Sequence, residues 1–401
     1  MNKFLLLLLL ISFRGLHAQQ AQSGWVRIDT RSLFDKTLVP ITNQIVWQSP
    51  LFDTTNLAED KLYVQILIPL NEKFKIFKNQ VVFRLNGEDI ESKTKKMISE
   101  DYRYTVTDSL RIPIGTSSVE AIFTDKKTGK EVKSKSISVI RRQPTLYLIS
   151  IGIASDLQYT EKDAKAIDSV FNNQGKAFYK EVKSLLLASK EETKASEIKK
   201  VLALHLSIEN VQAHDLVILS ISGHGIRTIQ EGKEDFGIQG SDYNSINSRM
   251  SRMTTLHYRE DIIKILEELP CKAIVLLDAC HSGVSELVAM NSKGNEIKDL
   301  AQAYKVLYEV PKNVITIVSS SESELSFEDA QWQHGAFTKC VADGLSKISD
   351  DNNDRYITIK ELANYVIKAV PILVKQRGYP QQTPKIIYQN KKEVDFPIFK
   401  Y

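Results

Sequence analysis

The chain has 401 residues, 42% of them hydrophobic and 25% charged, with 53 Lys and Arg against 49 Asp and Glu for a formal net charge of +4. That balance fits an ordinary globular protein of about two domains, at roughly 150 residues per domain. A charge this small, with no basic patch interleaved with aromatics, gives no reason to propose nucleic acid as a partner.

The first residues stand apart. Asn2-Lys3 is a short positive region, and Phe4 to Phe13 is an almost unbroken apolar run that leads to Leu16-His17-Ala18. The run is about half the ~20 residues needed to cross a bilayer. It predicts an export signal over 1–18 that is removed from the mature chain, with an uncleaved anchor as the competing reading. No Cys follows it to carry a lipid, and no later segment reaches spanning length. The expected location is therefore periplasmic or secreted, with no membrane span in the mature chain.

Residues 19 to about 30 are polar. From about Gly24 to Ile140 the pattern is β: Leu62 to Ile68, Gln80 to Leu85 and Ser136 to Ile140 are short runs rich in β-branched or aromatic residues. Asn86-Gly87 and Thr128-Gly129-Lys130 are turn signals between such runs. Strands spaced this way predict an N-terminal β-sandwich of immunoglobulin-like type over 19–140. It carries no cluster of reactive side chains, and the partner it would serve is unknown. Arg141-Arg142-Gln143-Pro144 reads as a linker over 141–144, a solvated junction, with an exposed protease site at its two basic residues as the competing reading.

After Pro144 strand and helix alternate. Strands are predicted at Thr145 to Ile153, Val182 to Leu187, Val217 to His224, Ala273 to Cys280 and Val314 to Val318. Helices are predicted at Asp163 to Phe171, Ala195 to Leu206, Tyr258 to Leu269, near Phe337 to Leu345, and at Ile359 to Lys375. Continuous apolar strands alternating with helices predict a three-layer α/β/α sandwich around a mostly parallel sheet, spanning 145–390. Residues 226–256 are too polar for a core element and read as a hairpin and loops over the rim, 282–313 as a second long insertion bordering the same site, and 391–401 as a C-terminal tail.

Two of the strands end in reactive residues: Ser222-Gly223-His224-Gly225 and Asp278-Ala279-Cys280-His281-Ser282-Gly283. Sites in such sheets lie beyond the carboxyl ends of the strands. A thiol attacks only as thiolate, and a neighbouring imidazolium lowers its pKa from about 8.5. His224 and Cys280, 56 residues apart, are thus a candidate catalytic pair. The backbone N–H groups of Gly225 and Cys280 are candidate oxyanion donors. Residues two apart on a strand share a face, so Ser222 goes with His224 and Asp278 with Cys280. An ionised Asp278 beside the pocket favours a substrate with Lys or Arg before the cut bond; the alternative is that Asp278 only accepts hydrogen bonds from its own loop.

These two motifs, each after a strand and in this order, resemble the caspase-like cysteine peptidases, specifically the metacaspase and bacterial caspase-domain branch. The resemblance covers roughly 144 to 390. It implies the caspase-like fold, a thiol endopeptidase activity, protein or peptide substrates cut after Arg or Lys, and a zymogen that is processed after a basic residue. Lys293, Lys298, Arg249 and Arg252 are the candidate processing positions. It also implies further pocket residues. Asp163, in Glu161-Lys162-Asp163-Ala164, joins Ser222 and Asp278, with Asp168 competing for the assignment. The segment Ser319-Ser320-Ser321-Glu322-Ser323, then Glu328, then His334-Gly335-Ala336-Phe337-Thr338 implies a substrate-binding loop that includes Ser320. Trp332 either walls that pocket or is packed.

No metal site and no certain cofactor emerge. Calcium (Ca2+), which some related enzymes need, has two openings. Asp235 and Asp242 lie in the first insertion, and Asp350, Asn352, Asp354 and Glu361 fall at positions 1, 3, 5 and 12 of an EF-hand-like loop. Arg355 stands where that loop requires Gly, and Thr358 with Glu361 reads more simply as a helix capping box. Two other functions compete with a peptidase: a catalytically idle caspase-fold scaffold, and a thiol transpeptidase whose acyl-enzyme is resolved by an amine.

Overall fold

The computed structural model describes residues 44–401 apart from 52–53, 58–60, 70–75, 92–93, 101–102, 126–128, 130, 208, 231, 282–304, 323, 390–393 and 395. The expected export signal, the polar stretch behind it, and Lys293 and Lys298 lie outside the described residues. The chain divides after Arg142 into two compact units.

In the N-terminal unit two sheets share one core. One sheet orders the strands Val46–Ser49, Lys61–Pro69, Arg103–Arg111 and Lys96–Glu100, all antiparallel; the other is built on Gly115–Thr124, flanked by Ile137–Arg141 and Val81–Leu85. Alternate residues turn inward, as a half-buried strand requires: Val64, Ile66 and Val106 from one sheet meet Val81, Phe83, Val119 and Val139 from the other. Arg141, expected in the linker, is instead the last residue of its strand. The inward parity of Ile137 and Val139 buries it as well, and its guanidinium donates to the Ile112 carbonyl at 2.9 Å.

The C-terminal unit contains strands β1 (Thr145–Gly152), β2 (Glu181–Leu187), β3 (Leu216–Gln230), β4 (Lys233–Gln239), β5 (Thr255–His257), β6 (Lys272–His281), β7 (Val314–Val318), β8 (Glu328–Asp329), β9 (His334–Gly335), β10 (Tyr356–Thr358), β11 (Lys385–Ile387) and β12 (Pro397–Lys400). Its helices are α1 (Thr160–Gln174), α2 (Ala195–His205), α3 (Ser248–Met253), α4 (Lys264–Glu267, entered through a π turn from Tyr258), α5 (Ala336–Gly344) and α6 (Ile359–Gln376). The central sheet runs β2-β1-β3-β6-β7-β11. Its first five strands are parallel and β11 is antiparallel.

Helices cover both faces. Leu146, Leu148, Leu216, Ile218, Ile274 and Leu276 pack against α1, α5 and α6. Tyr147, Ile149, Val217, Leu219, Val275 and Leu277 pack against α2, the Tyr258 turn and α4. This is the expected caspase-like α/β/α sandwich with a mostly parallel sheet.

Three stretches refine or overturn expectation. β3 does not end at His224 but forms the first arm of the hairpin expected after it. It continues to Gln230 and turns back as β4, with the Arg227 guanidinium bound to Glu234 and Gly232 at φ +77° in the turn. The 226–256 insertion is polar on average, yet it sends Phe236, Ile238 and Leu256 into the core. Period-two spacing hides such positions from a composition count. Finally, residues 397–400 are not a tail. β12 pairs with β10, and Phe396, Ile398 and Phe399 are buried in the core beneath α1 and α6.

Candidate active site

β3 and β6 are adjacent parallel strands in unbroken register, so Ser222 lies opposite Asp278 and His224 opposite Cys280. Neighbouring strands are about 4.8 Å apart. The predicted pair is therefore side by side at the carboxyl end of the sheet. On the face turned to α1, α5 and α6, the same strands carry Leu216, Ile218, Ile274 and Leu276 lower down. Ser222, His224 and Asp278 continue that parity, so apolar filling gives way to polar groups at the rim. Gly225 pairs with His281 on one side and with Ile238 of β4 on the other, bracing the backbone behind the imidazole.

The His224 ring is buried. Its Nε2 lies 2.5 Å from Asp156 Oδ1, and its Nδ1 is buried with no hydrogen-bond partner among the described residues. Asp156 sits in the loop leaving β1, which is held at several points. Ile153 N–H donates to the Ser222 carbonyl, Ala154 N–H to Thr193 Oγ1, and the N–H groups of Gln158 and Tyr159 to the two oxygens of Glu328. Thr160 Oγ1 donates back to the Ile153 carbonyl. Gly152 is what lets the loop close this tightly: a Cβ there would stand 2.1 Å from the Thr160 carbonyl oxygen.

Beside this pair lies a second cluster. Asp163, on the first turn of α1, accepts from Ser222 Oγ at 2.8 Å, from Gly335 N–H at 3.1 Å, and contacts His334 Nδ1 at 3.0 Å. Asp278 accepts from Thr338 N–H at 3.2 Å and Thr338 Oγ1 at 2.7 Å. Both carboxyls close on Gly335, where a Cβ would meet Asp278 Oδ2 at 2.4 Å and Asp163 Oδ2 at 3.3 Å. Burial pushes the Asp278 carboxyl up to about 7, helped by the charge of Asp163 and opposed by Thr338 and Ser319. Burial also raises Asp163, against the pull of His334 and Ser222. Two carboxyls sharing one buried site compete for a proton. The cluster is thus short of positive charge, and in the free chain His334 and Gly335 cover it.

The remaining candidates take these places. Asp168 accepts from Ser184 of β2 and does not join the Asp163–Asp278 cluster. Ser320 is fully buried beside Ser319, whose hydroxyl reaches Asp278. Trp332 packs in the core edge-on to Tyr379, its centroid 6.3 Å away. Arg249 and Arg252 are exposed on α3. Burial pushes the thiols of Cys271 and Cys340 up to about 12.

The two calcium openings are occupied by structural work. Asp235 accepts from the N–H groups of Phe236 and Arg259, and Asp242 from that of Ala195 at the start of α2. In the 350–361 loop Arg355 does adopt a positive φ of 67°. Asp350 and Asp354 nevertheless bind backbone N–H groups of the loop, while Glu361 is held by Asn352 and by the Thr358 capping box. Among the described residues no three His, Cys, Asp or Glu side chains gather as a metal would require, and no helix is long and apolar enough to cross a membrane.

Sequence reasoning missed Asp156 and the role of Thr338. Asp156 follows the carboxyl end of a central strand, where such sites lie, but its pairing with His224 depends on β1 lying next to β3, which the sequence does not give. Thr338 is marked in the sequence only as the end of the His334–Thr338 segment, and nothing there shows that it donates to Asp278.

A family model described as Caspase domain matches residues 147–394. No curated protein matches the chain. Three solved structures show weak likeness. The tandem Ig repeats of Dlar are 10% identical over 25% of this chain and 55% of that one, with a TM-score of 0.15. A 2,6-sialyltransferase from Vibrionaceae Photobacterium sp. JT-ISH-224 is 11% identical over 63% and 46%, with a TM-score of 0.21. The major pilin subunit of Bacillus cereus is 13% identical over 28% and 44%, with a TM-score of 0.13. In each case this chain spans about half of the other's length.

Proposed function

The chain belongs to the caspase-domain family, and we propose that it is an exported cysteine endopeptidase that cuts after Lys or Arg through His224 and Cys280. The observation that carries this reading is the register that sets Cys280 opposite a buried imidazole whose Nδ1 has no hydrogen-bond partner among the described residues. In the proposed cycle His224 takes the proton of the Cys280 thiol. The thiolate adds to the scissile carbonyl, with the Gly225 and Cys280 N–H groups receiving the oxyanion. His224 returns the proton to the leaving amine, and water, deprotonated by the same ring, frees the acyl group.

The specificity reading rests on Asp163 and Asp278. A Lys or Arg side chain that displaces His334 from the pair supplies the charge two buried carboxyls lack, which favours their ionised form. A Leu side chain cannot, and an Asp side chain would add a third acid. Self-processing after a basic residue belongs to the same reading, with Lys293, Lys298, Arg249 and Arg252 as the candidate positions.

The test is a panel of fluorogenic peptides bearing Arg, Lys, Asp or Leu before the reporter, run with the parent chain and with Cys280→Ala. Turnover of the Arg and Lys peptides alone, lost in Cys280→Ala, is the expected result. Turnover of the Asp peptide alone would overturn the pocket assignment, and turnover surviving Cys280→Ala would overturn the nucleophile.

A further inference from the structure

Three adjacent strands deliver three groups in order across the rim. β1 leads to Asp156, β3 carries His224, and β6 carries Cys280; β3 lies between the other two. The imidazole is thus flanked by a carboxylate on one side and by the strand of the nucleophile on the other. We propose that Asp156 is a positioning residue for His224: its carboxylate accepts a hydrogen bond from Nε2–H and thereby keeps Nδ1 as the basic nitrogen available to Cys280. The proposal rests on the peptidase reading for its consequence, though not for the Asp156–His224 contact.

The geometry supports a fixed role. A neutral imidazole has one donor nitrogen and one acceptor nitrogen, and the partner of one sets the state of the other. Nε2 is 2.5 Å from Asp156 Oδ1, so the proton lies there, and the buried Nδ1 is left with its lone pair. When Nδ1 takes the thiol proton, the carboxylate stabilises the imidazolium that forms. The loop that presents Asp156 is tied down on both sides of it. Ala154 is held by Thr193, and Gln158 and Tyr159 by the carboxylate of Glu328. The hydrogen bond to His224 in turn holds the Asp156 carboxyl below the usual carboxylate range, so it remains charged wherever the ring is active.

Exposure limits the size of the effect. The Asp156 side chain is 87% exposed and that of His224 only 10%. Water therefore screens one end of the pair, and the contact is worth less than a buried ion pair. It also means that truncating Asp156 removes no core packing.

The experiment uses Cys280 alkylation by iodoacetamide at pH 6.5, followed by mass, together with 15N NMR of the His224 ring in the Cys280→Ala chain. Asp156→Ala is expected to slow alkylation about tenfold, the loss of one pKa unit of thiolate. The neutral ring, with its proton on Nε2 in the parent, is expected to become a mixture of tautomers. Asp156→Glu is expected to restore the rate to within about threefold, because the longer side chain still carries an acceptor. In the His224→Ala chain, adding Asp156→Ala should change nothing.

Parental rate and tautomer in Asp156→Ala would overturn the proposal, as would an undiminished effect of Asp156→Ala in the His224→Ala chain. If the ring proton sits on Nε2 and shifts on Asp156→Ala while no peptide is turned over, the positioning contact stands and the peptidase reading fails.

Discussion

The central sheet has two faces made from the same strands, and they end differently. On the face covered by α2 and α4, Ile221, Leu277 and Ala279 carry the apolar core up to the rim where β3 and β6 leave the parallel sheet. On the opposite face the core stops at Ile218 and Leu276, and Ser222, His224 and Asp278 occupy the last positions of the same parity. One residue along the chain separates a packing role from a chemical one. The first face fixes where the strands lie, and the second uses that fixity to hold polar groups which, left to themselves, would be costly to bury.

Substitutions on the two faces should therefore separate activity from stability. Cys280→Ala is expected to reduce peptide turnover by at least about a thousandfold, the scale of losing a nucleophile, with the unfolding midpoint unchanged. Its neighbour on the other face behaves in the reverse way: Leu277→Ala should cost about 2–5 kcal/mol in denaturant unfolding, while turnover per folded molecule is retained. A variant that moved both quantities together would erase the distinction between faces.

Gly152→Ala crosses the boundary. The added Cβ meets Thr160 backbone atoms that cannot move without carrying α1, and Asp163 with it. A loss of about 1–3 kcal/mol, together with weaker turnover of Arg peptides, is expected from unfolding curves and kinetics on the same sample.

Asp278→Asn sharpens the comparison through pH. In the folded chain Asp278 keeps its proton up to about 7, whereas its ordinary value is 3.8. Between these values the folded state binds more protons than the unfolded one, so the group's contribution to stability falls as pH rises from about 4 to about 7 and is level above that. The Asn variant escapes this loss. Its unfolding midpoint relative to the parent should climb from pH 4 to pH 8, while its turnover of basic peptides drops. An offset that is the same at every pH would mean that Asp278 is not held protonated.

Far from the rim, Thr358→Ala removes the hydroxyl that caps α6 and should cost about 1 kcal/mol with turnover untouched.

Much of the site was legible in the sequence because strand parity and strand ends are local properties. Two apolar runs ending in Ser222-Gly223-His224 and Asp278-Ala279-Cys280 already imply a shared rim, and a shared face for 222 with 224 and for 278 with 280. What could not be read depends on neighbours remote in sequence. Asp156 meets His224 across 68 positions because β1 lies next to β3. His334 reaches Asp163 because β9 leads into α5 over the end of α1. The place of residues 397–400 turned on a partner strand, β10, rather than on their own polarity. Arg141 looked like a solvated linker residue because charge usually marks exposure, yet a backbone carbonyl at the sheet end satisfies it.

The pairing of His224 with Cys280 is tested most directly by the rate of iodoacetamide capture of Cys280 as a function of pH, in the parent and in His224→Ala. Cys271 and Cys340 do not interfere, being buried with thiols pushed up to about 12. In the parent, capture should already be rapid at pH 6; in His224→Ala it should be at least about tenfold slower there and recover only near the free-thiol pKa of about 8.5. The same pH profile for both chains would contradict a thiolate kept ready by that ring.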